Sequence, residues 1–207
     1  MAETKFDNAN FKQKVDLRTR MLMMMKDPIV METNGGAGAI FTHCYRNIAH
    51  GAVFETAEDK SGLLAMQRPS WSVYECDAVK ALSLGVGSHL EVNFLDVDPY
   101  GECWPFLDSY FSSPRTFVTR LAIAVNCGLR QKLRLAGGWH VKSLQDIVER
   151  RGNQALYKNY LDICKELLQK HAWKQGYRLK SWTGYYTGNP GAANADNMTH
   201  FGAIFEK

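Results

Sequence analysis

The chain contains 207 residues, of which 45% are hydrophobic and 22% are charged, and its formal net charge is +4. This length and composition are those of a globular protein with one good-sized domain and a core of its own. The charge is mildly basic and falls short of the strongly basic balance of a dedicated nucleic-acid binder.

The cysteines and histidines indicate neither a disulfide framework nor a metal site. The five cysteines are odd in number and contain no CxxC pair, and the six histidines show no metal-ligand spacing. The apolar runs are shorter than a membrane span, and residues 21–25 do not resemble a secretory signal. We therefore expect a cytoplasmic protein that holds no metal and contacts no membrane.

The predicted elements alternate between helices and strands along most of the chain. Apolar spacing predicts helices at residues 9–25, 40–49, 58–66, 77–84, 103–112, 143–150 and 153–173. Strands are predicted at residues 29–31, 52–54, 72–74, 90–95, 116–125, 177–187 and 199–205. The first helix is ended by the Asp27-Pro28 dipeptide, because the residue before a proline disfavours the helical conformation.

This alternation predicts an α/β fold with a mainly parallel sheet covered by helices on both faces. The last two strands are joined by a loop at 188–197 without a helix, so they are expected to pair antiparallel. We divide the chain into an N-terminal helical extension, residues 1–26, and one domain, residues 27–207.

A glycine-rich turn, Glu32–Gly38, follows the first strand and opens a helix. Glycines allow unusual backbone angles and close approach of a ligand, as well as tight turns that have no ligand at all. The spacing differs from the GxGxxG motif that serves a diphosphate, and Asn34 stands where its first glycine is expected. Glu32 suits the ammonium group of S-adenosylmethionine, so we assign Glu32, Asn34, Gly35, Gly36 and Gly38 to a site for that cofactor.

Acidic residues also end the next three strands. Glu55 lies 23 residues after Glu32, a spacing that suits the hydroxyl groups of a ribose. Asp77 follows the third strand and could accept a hydrogen bond from the amino group of adenine. Asp96 ends the fourth strand, and we add these three residues to the predicted cofactor site.

The fourth strand is followed by Asp98-Pro99-Tyr100-Gly101. The carboxylate of Asp98 and the carbonyl of Pro99 are acceptors for an amino group, while Tyr100 can stack on a planar molecule. Holding a nitrogen in line with a methyl donor does much of the work of methyl transfer. We assign Asp98, Pro99 and Tyr100 to catalysis, and Tyr100 with Gly101 to substrate binding, although the same residues also favour a simple β-turn.

Two basic residues, Lys14 and Arg18, lie four apart on one face of the first predicted helix. They could bind the carboxylate of the cofactor or a phosphate of the substrate, and we assign them to substrate binding. Plain surface charge is the alternative.

The order of these parts resembles the seven-stranded class I S-adenosylmethionine-dependent methyltransferases over about residues 27–207. Their sheet is Rossmann-like, and their last strand inserts into it, as residues 199–205 could do here. The Asp98–Gly101 segment is similar to the Asp/Asn-Pro-Pro-Tyr/Phe motif of amino-methyltransferases, and closer to the Asp-Pro-Phe/Tyr-Gly form of tRNA guanine-N2 methyltransferases. The resemblance implies methylation of an exocyclic amine, with Asp98 and Pro99 holding the nitrogen and Tyr100 stacking on the base.

Two features depart from that family pattern. Asn34 replaces a usual glycine, and no second proline follows Pro99, which argues against an ordinary DNA adenine or cytosine-N4 enzyme. We expect a nucleobase of RNA or DNA as the substrate. A small molecule, a protein side chain, and an inactive cofactor-binding partner subunit or homodimer remain as alternatives.

Overall fold

The computed structural model describes residues 8–130, 142–187 and 198–207. Its strands are β1 (Val30–Glu32), β2 (Gly51–Glu55), β3 (Ser72–Glu75), β4 (Phe94–Val97), β5 (Arg120–Cys127), β6 (Arg178–Thr187) and β7 (Met198–Glu206). Its helices are α1 (Asn8–Leu22), α2 (Glu58–Gln67), α3 (Ala78–Ser83), α4 (Trp104–Ser112), α5 (Lys142–Arg151), α6 (Asn153–Lys158) and α7 (Tyr160–Trp173), with a π-helix at Phe41–Tyr45. The predicted loop at 188–197 and residues 1–7 of the predicted extension lie outside the described residues.

The described strands form one seven-stranded sheet in the order β3-β2-β1-β4-β5-β7-β6. Strands β1 to β5 pair in parallel. Strand β7 lies between β5 and β6 and is antiparallel to both, so that Thr199 pairs with Cys127 on one side and Tyr186 on the other. This arrangement confirms the predicted Rossmann-like sheet, with a last strand that inserts between its neighbours.

Helices cover both faces of the sheet, as predicted. Val30 and Phe94 belong to an apolar cluster with residues of α1 and the π-helix. Met31 and Leu95, the next residues along the same strands, belong to a second cluster with residues of α4 and α7. Side chains alternate across a strand, so a central strand needs apolar residues on both faces once both are covered.

Helix α1 packs closely on the sheet at Gly202 of β7. A Cβ atom at this position would meet the sulfur atom of Met21 and would lie 3.2 Å from Cδ1 of Leu17. Glycine at this mid-strand position therefore lets α1 lie directly against β5 and β7.

Several element bounds differ from the sequence prediction. The strand predicted at 90–95 is instead Phe94–Val97, because Asn93 is held by its side chain: its Oδ1 accepts from the backbone N–H of Ile29 at 2.7 Å, and its Nδ2 donates to the carbonyl of Asp27 at 3.1 Å. The predicted helix at 153–173 is two helices that meet at Asn159, whose φ of −108° and ψ of 24° are not helical.

The helix predicted at 40–49 is shorter, with its regular part at Phe41–Tyr45 in the π form. The strand predicted at 116–125 begins later and spans Arg120–Cys127. Within the described ranges, no helix has both the length and the apolar character needed to cross a membrane. The cytoplasmic location stays a prediction.

The carboxyl ends of the parallel strands lie along one edge of the sheet. Glu32 of β1 is in register with Val53 of β2 and with Asp96 of β4, and Glu55 of β2 is in register with Glu75 of β3. The strand order changes direction between β1 and β4, and ligands of open α/β sheets bind beyond the strand ends at such a point. A ligand-binding site is therefore expected among the residues that follow β1, β2 and β4.

Candidate functional site

The glycine-rich turn after β1 uses its glycines for two different purposes. A Cβ atom on Gly35 would lie 2.5 Å from Leu64 and 2.6 Å from Val53, and one on Gly38 would collide with Gln67. Gly36, at a φ of +53°, would place its Cβ in open space with no atom within 4 Å. Gly35 is thus required by packing and Gly38 by its φ of +81°, whereas Gly36 leaves open space beside its Cα atom.

The carboxylate of Glu55 holds this turn in place. Its Oε2 accepts a hydrogen bond from the N–H of Gly36 at 2.8 Å, and its Oε1 accepts from the N–H groups of Thr56 and Ala57 at 2.9 and 3.1 Å. Asn34 accepts from the hydroxyl of Thr33 at 2.7 Å. The structure therefore brings Glu55, from the end of β2, to the glycine turn that follows β1.

Asp77 lies at the start of α3, one strand further along. It is exposed, and its Oδ1 accepts a hydrogen bond from the backbone N–H of Lys80 at 2.8 Å, so it acts as the N-cap of that helix. An N-cap of this kind satisfies one of the free N–H groups of a helix. The contact leaves the second carboxylate oxygen, Oδ2, available to a ligand.

Glu32 is buried and forms an ion pair with Arg68, a residue that also is buried. The guanidinium of Arg68 lies over the ring of Phe41 at 4.2 Å and near that of Trp71 at 5.2 Å. Burial raises the pKa of Glu32 to about 7, the charge of Arg68 opposes this rise, and the charge of Asp96 adds to it. Sequence reasoning missed Arg68, which ends α2 and has no neighbouring motif to mark it.

Asp96 forms a buried ion pair with Arg18 of α1. Its Oδ1 accepts from Nη2 of Arg18 at 2.5 Å, and its Oδ2 accepts from Nε at 2.6 Å. The hydroxyl of Tyr45 also donates to Oδ2, at 2.6 Å. Burial and the charge of Asp96 both raise the pKa of Tyr45, which keeps its proton on the phenol. Asp96 is 2% exposed and bound on both oxygen atoms, so the structure places this residue in the packing of α1.

Asp98 lies two residues further, where α1 meets the ends of β4 and β5. Its Oδ1 and Oδ2 accept from Nζ of Lys14 at 2.8 and 3.0 Å, and Oδ1 accepts from Nδ2 of Asn126 at 2.9 Å. Burial would raise the pKa of Asp98, but the charges of Arg18 and Lys14 and these hydrogen bonds hold it below the usual value. Asp98 is therefore an ionised hydrogen-bond acceptor.

The backbone turns sharply after Asp98. Pro99 is buried, its carbonyl accepts from the N–H of Gly101 at 3.0 Å, and Gly101 has a φ of +120°. The carbonyl of Gly101 in turn accepts from the N–H of Gly128, at 2.7 Å, which ties the turn to the end of β5. Tyr100 is fully exposed. The turn thus presents an aromatic ring to solvent beside an ionised carboxylate.

Two further polar residues lie beside Asp98 and were not singled out by the sequence. Asn126 of β5 and His200 of β7 are both buried and in register with each other. The ring of His200 contacts Tyr185 edge to face, with 5.4 Å between ring centroids. Burial and the charges of Arg18 and Lys14 lower the pKa of His200 to about 3, so this imidazole is neutral. The pairing of β5 with the distant β7 brings them together, and no local pattern predicts it.

The predicted site residues thus fall into three groups. Lys14, Arg18, Asp96 and Asp98 meet between α1 and β4, and Glu55 meets the glycine turn. Asp77 lies apart from both groups, at the start of α3.

Among the described residues, no group of three or more His, Cys, Asp or Glu side chains is arranged to hold a metal ion.

No protein-family model matches the sequence, and a search of curated proteins found no match. Solved structures share the fold. Similar structures include M. jannaschii TYW2 in complex with AdoMet, with a TM-score of 0.57, 15% identity and coverage of 99% of this chain and 79% of that one. Trm1 from Pyrococcus horikoshii, in complex with S-adenosyl-L-methionine, has a TM-score of 0.62 and 15% sequence identity, and the match covers 98% of this chain and 56% of that one.

A third similar structure is the plantazolicin methyltransferase BamL, in complex with SAH and a triazolic desmethylPZN analog. Its TM-score is 0.57 at 9% identity, with coverage of 96% of this chain and 85% of that one. The chain thus spans just over half of Trm1 and more than three quarters of the other two. Together these similarities define the fold as the Rossmann-like fold of methyltransferases.

Proposed function

We propose that the chain is an S-adenosylmethionine-dependent methyltransferase that methylates an exocyclic amino nitrogen of a nucleobase in RNA or DNA. The observation that carries this proposal is the end of β4, where the ionised Asp98 lies beside the buried Pro99 and the exposed Tyr100. An acceptor for N–H groups next to a free aromatic ring suits a planar molecule that bears an amino group. The glycine turn lies at the same edge of the sheet.

The residues at that edge fit the proposed cofactor. Gly36 is open to a ligand, and Glu55 supplies carboxylate oxygens for ribose hydroxyls. We retain Asn34, Gly35, Gly38 and Asp77 as further parts of this cofactor site. Glu32 and Asp96, whose carboxylates are enclosed by Arg68 and by Arg18 with Tyr45, act as positioning residues that hold β1 and β4 against the helices.

S-adenosylmethionine supplies the methyl group from a sulfonium centre when it is bound. Asp98 and the carbonyl of Pro99 accept hydrogen bonds from the amino group, and Tyr100 stacks on the ring that carries it. Because its pKa is lowered, Asp98 is a weak base, and its role is to orient the nitrogen lone pair toward the methyl group. Such alignment is a large part of catalysis in a displacement reaction.

The decisive experiment compares methyl transfer from labelled S-adenosylmethionine to tRNA and to single-stranded DNA. The variants are Asp98→Asn and Tyr100→Ala, with Trp173→Ala as the control because Trp173 is also an exposed aromatic residue. We expect each site variant to lose roughly 100-fold in rate, as misplaced reacting groups do, while Trp173→Ala keeps wild-type activity. Tyr100→Ala should unfold at the wild-type temperature, since its side chain is fully exposed.

Three results would change the proposal. Calorimetry that detects neither S-adenosylmethionine nor S-adenosylhomocysteine, with NAD as the comparison ligand, would refute the cofactor. Binding without transfer to any substrate would favour an inactive partner subunit. Transfer to a small molecule or peptide but not to nucleic acid would favour the second candidate, which is supported by the similarity to BamL, since BamL was solved with a ligand that is not a nucleic acid.

A further inference from the structure

The oxygen atoms of Asp98 that the proposed function assigns to the substrate already have a cationic partner. Nζ of Lys14 lies 2.8 Å from Oδ1 and 3.0 Å from Oδ2, and Arg18 Nη2 lies 3.7 Å from Oδ2. The ammonium of Lys14 therefore occupies the position proposed for the amino group of the substrate, because it too is a nitrogen that donates hydrogen bonds to this carboxylate. A substrate must displace it.

A neutral amine is a poor competitor for this position. Both donors would form a hydrogen bond to the ionised carboxylate, but only the ammonium of Lys14 adds the attraction between opposite charges. A free base or nucleoside that displaced Lys14 would also leave the ammonium without a counter-ion at a half-buried place. A nucleotide differs because it brings a phosphate, which offers the displaced ammonium a new anionic partner.

The two basic residues of α1 differ in how freely their side chains can move. Arg18 is fully buried, and its paired hydrogen bonds to Asp96 fix it in place, while its Nη1 donates to the carbonyl of Lys14 at 3.1 Å. The side chain of Lys14 is 24% exposed, and that of Asp98 is 17% exposed. A lysine has a flexible four-carbon stem, so its ammonium can swing out while the backbone of α1 stays held by Arg18.

We propose, on the basis of the proposed function, that Lys14 is a specificity-determining residue. Its ammonium gives up the ion pair with Asp98 and forms one with a phosphate of the substrate. Without a phosphate Lys14 keeps Asp98 occupied, and with one it releases Asp98 to the amino group of the base. The enzyme therefore prefers nucleotides to nucleosides and free bases. The exchange moves no covalent bond and needs only rotation of one side chain.

The test compares adenosine, cytidine and guanosine with their 5′-monophosphates as methyl acceptors. We expect the wild type to favour the monophosphates by about tenfold or more in kcat/KM, the scale of one charge-assisted hydrogen bond. In Lys14→Met, which keeps the length of the stem, the preference should fall below about threefold, mainly because nucleosides react faster. Lys12→Met, at an exposed lysine of the same helix, should keep the wild-type preference.

A binding measurement separates this inference from the proposed function. Calorimetry in the presence of S-adenosylhomocysteine should show tighter binding of the monophosphates than of the nucleosides by the wild type and Lys12→Met, but not by Lys14→Met. If no methyl transfer occurs at all, the proposed function fails while this result still supports the role of Lys14. An unchanged preference in Lys14→Met would overturn the inference, as would a loss confined to the affinity for S-adenosylmethionine, which would assign Lys14 to the cofactor.

Discussion

Replacing Arg18 by methionine removes the cation that holds Asp96 in the interior of the protein. Arg18 and Asp96 are almost completely buried, and two hydrogen bonds of 2.5 and 2.6 Å join them. Removing one member of a buried ion pair costs about 3–5 kcal/mol, because the other charge is left without a partner. For a chain of this length that loss corresponds to a fall of roughly 10 °C in the unfolding temperature.

Urea unfolding followed by circular dichroism measures this loss directly. Arg20→Met is the matched control, since Arg20 is exposed on the same helix and its removal should change stability by less than about 0.5 kcal/mol. Adding Asp96→Asn to Arg18→Met should recover a large part of the loss, because asparagine carries no charge and still accepts from Tyr45. If Arg18→Met unfolds like Arg20→Met, the argument that α1 is held through this ion pair is refuted.

Three further outcomes follow from single residues. Gly36→Ala should cost about 1 kcal/mol of stability from its φ of +53° and weaken calorimetric binding of S-adenosylhomocysteine, whereas Gly62→Ala in α2 should stabilise by a similar amount and leave binding unchanged. His200, whose pKa is lowered to about 3, contributes stability that is present above pH 6.5 and lost as the pH falls toward 3, and His200→Gln should lack that dependence in pH-resolved unfolding. Glu32, whose pKa is raised to about 7, contributes stability that is present below about pH 4.5 and lost as the pH rises through 7. If the free energy of unfolding of Glu32→Gln changes with pH over that range as the wild type's does, the raised pKa is contradicted.

The local pattern of the sequence is sufficient for the order of elements and for the type of sheet. Strands such as β1 and β2 are short apolar runs that end in an acid and are followed by a turn or helix, and this alternation permits few topologies. The glycine turn and the Asp98–Gly101 segment could likewise be found, because backbone conformations such as the φ of +53° at Gly36 and +120° at Gly101 require particular residue types.

Element ends were less predictable, since distant contacts decide them. The start of β4 depends on the side chain of Asn93, which binds backbone groups at Asp27 and Ile29 more than 60 positions earlier. The break between α6 and α7 falls at one asparagine inside an otherwise continuous helical pattern. Neither effect is visible in apolar periodicity.

The partners of the acidic residues were decided by the tertiary structure alone. The sequence shows acids at the ends of β1, β2 and β4, but a carboxylate binds whichever cation or N–H group the fold brings to it. Packing of α1 on β5 and β7 gives Arg18 to Asp96 and Lys14 to Asp98, and the end of α2 gives Arg68 to Glu32. The side chain of Glu55 instead accepts a hydrogen bond from the glycine turn, at the N–H of Gly36. The sequence by itself determined which side chains end the strands, and long-range packing determined which of them a ligand can reach, because ion pairs form between residues that are far apart in the chain.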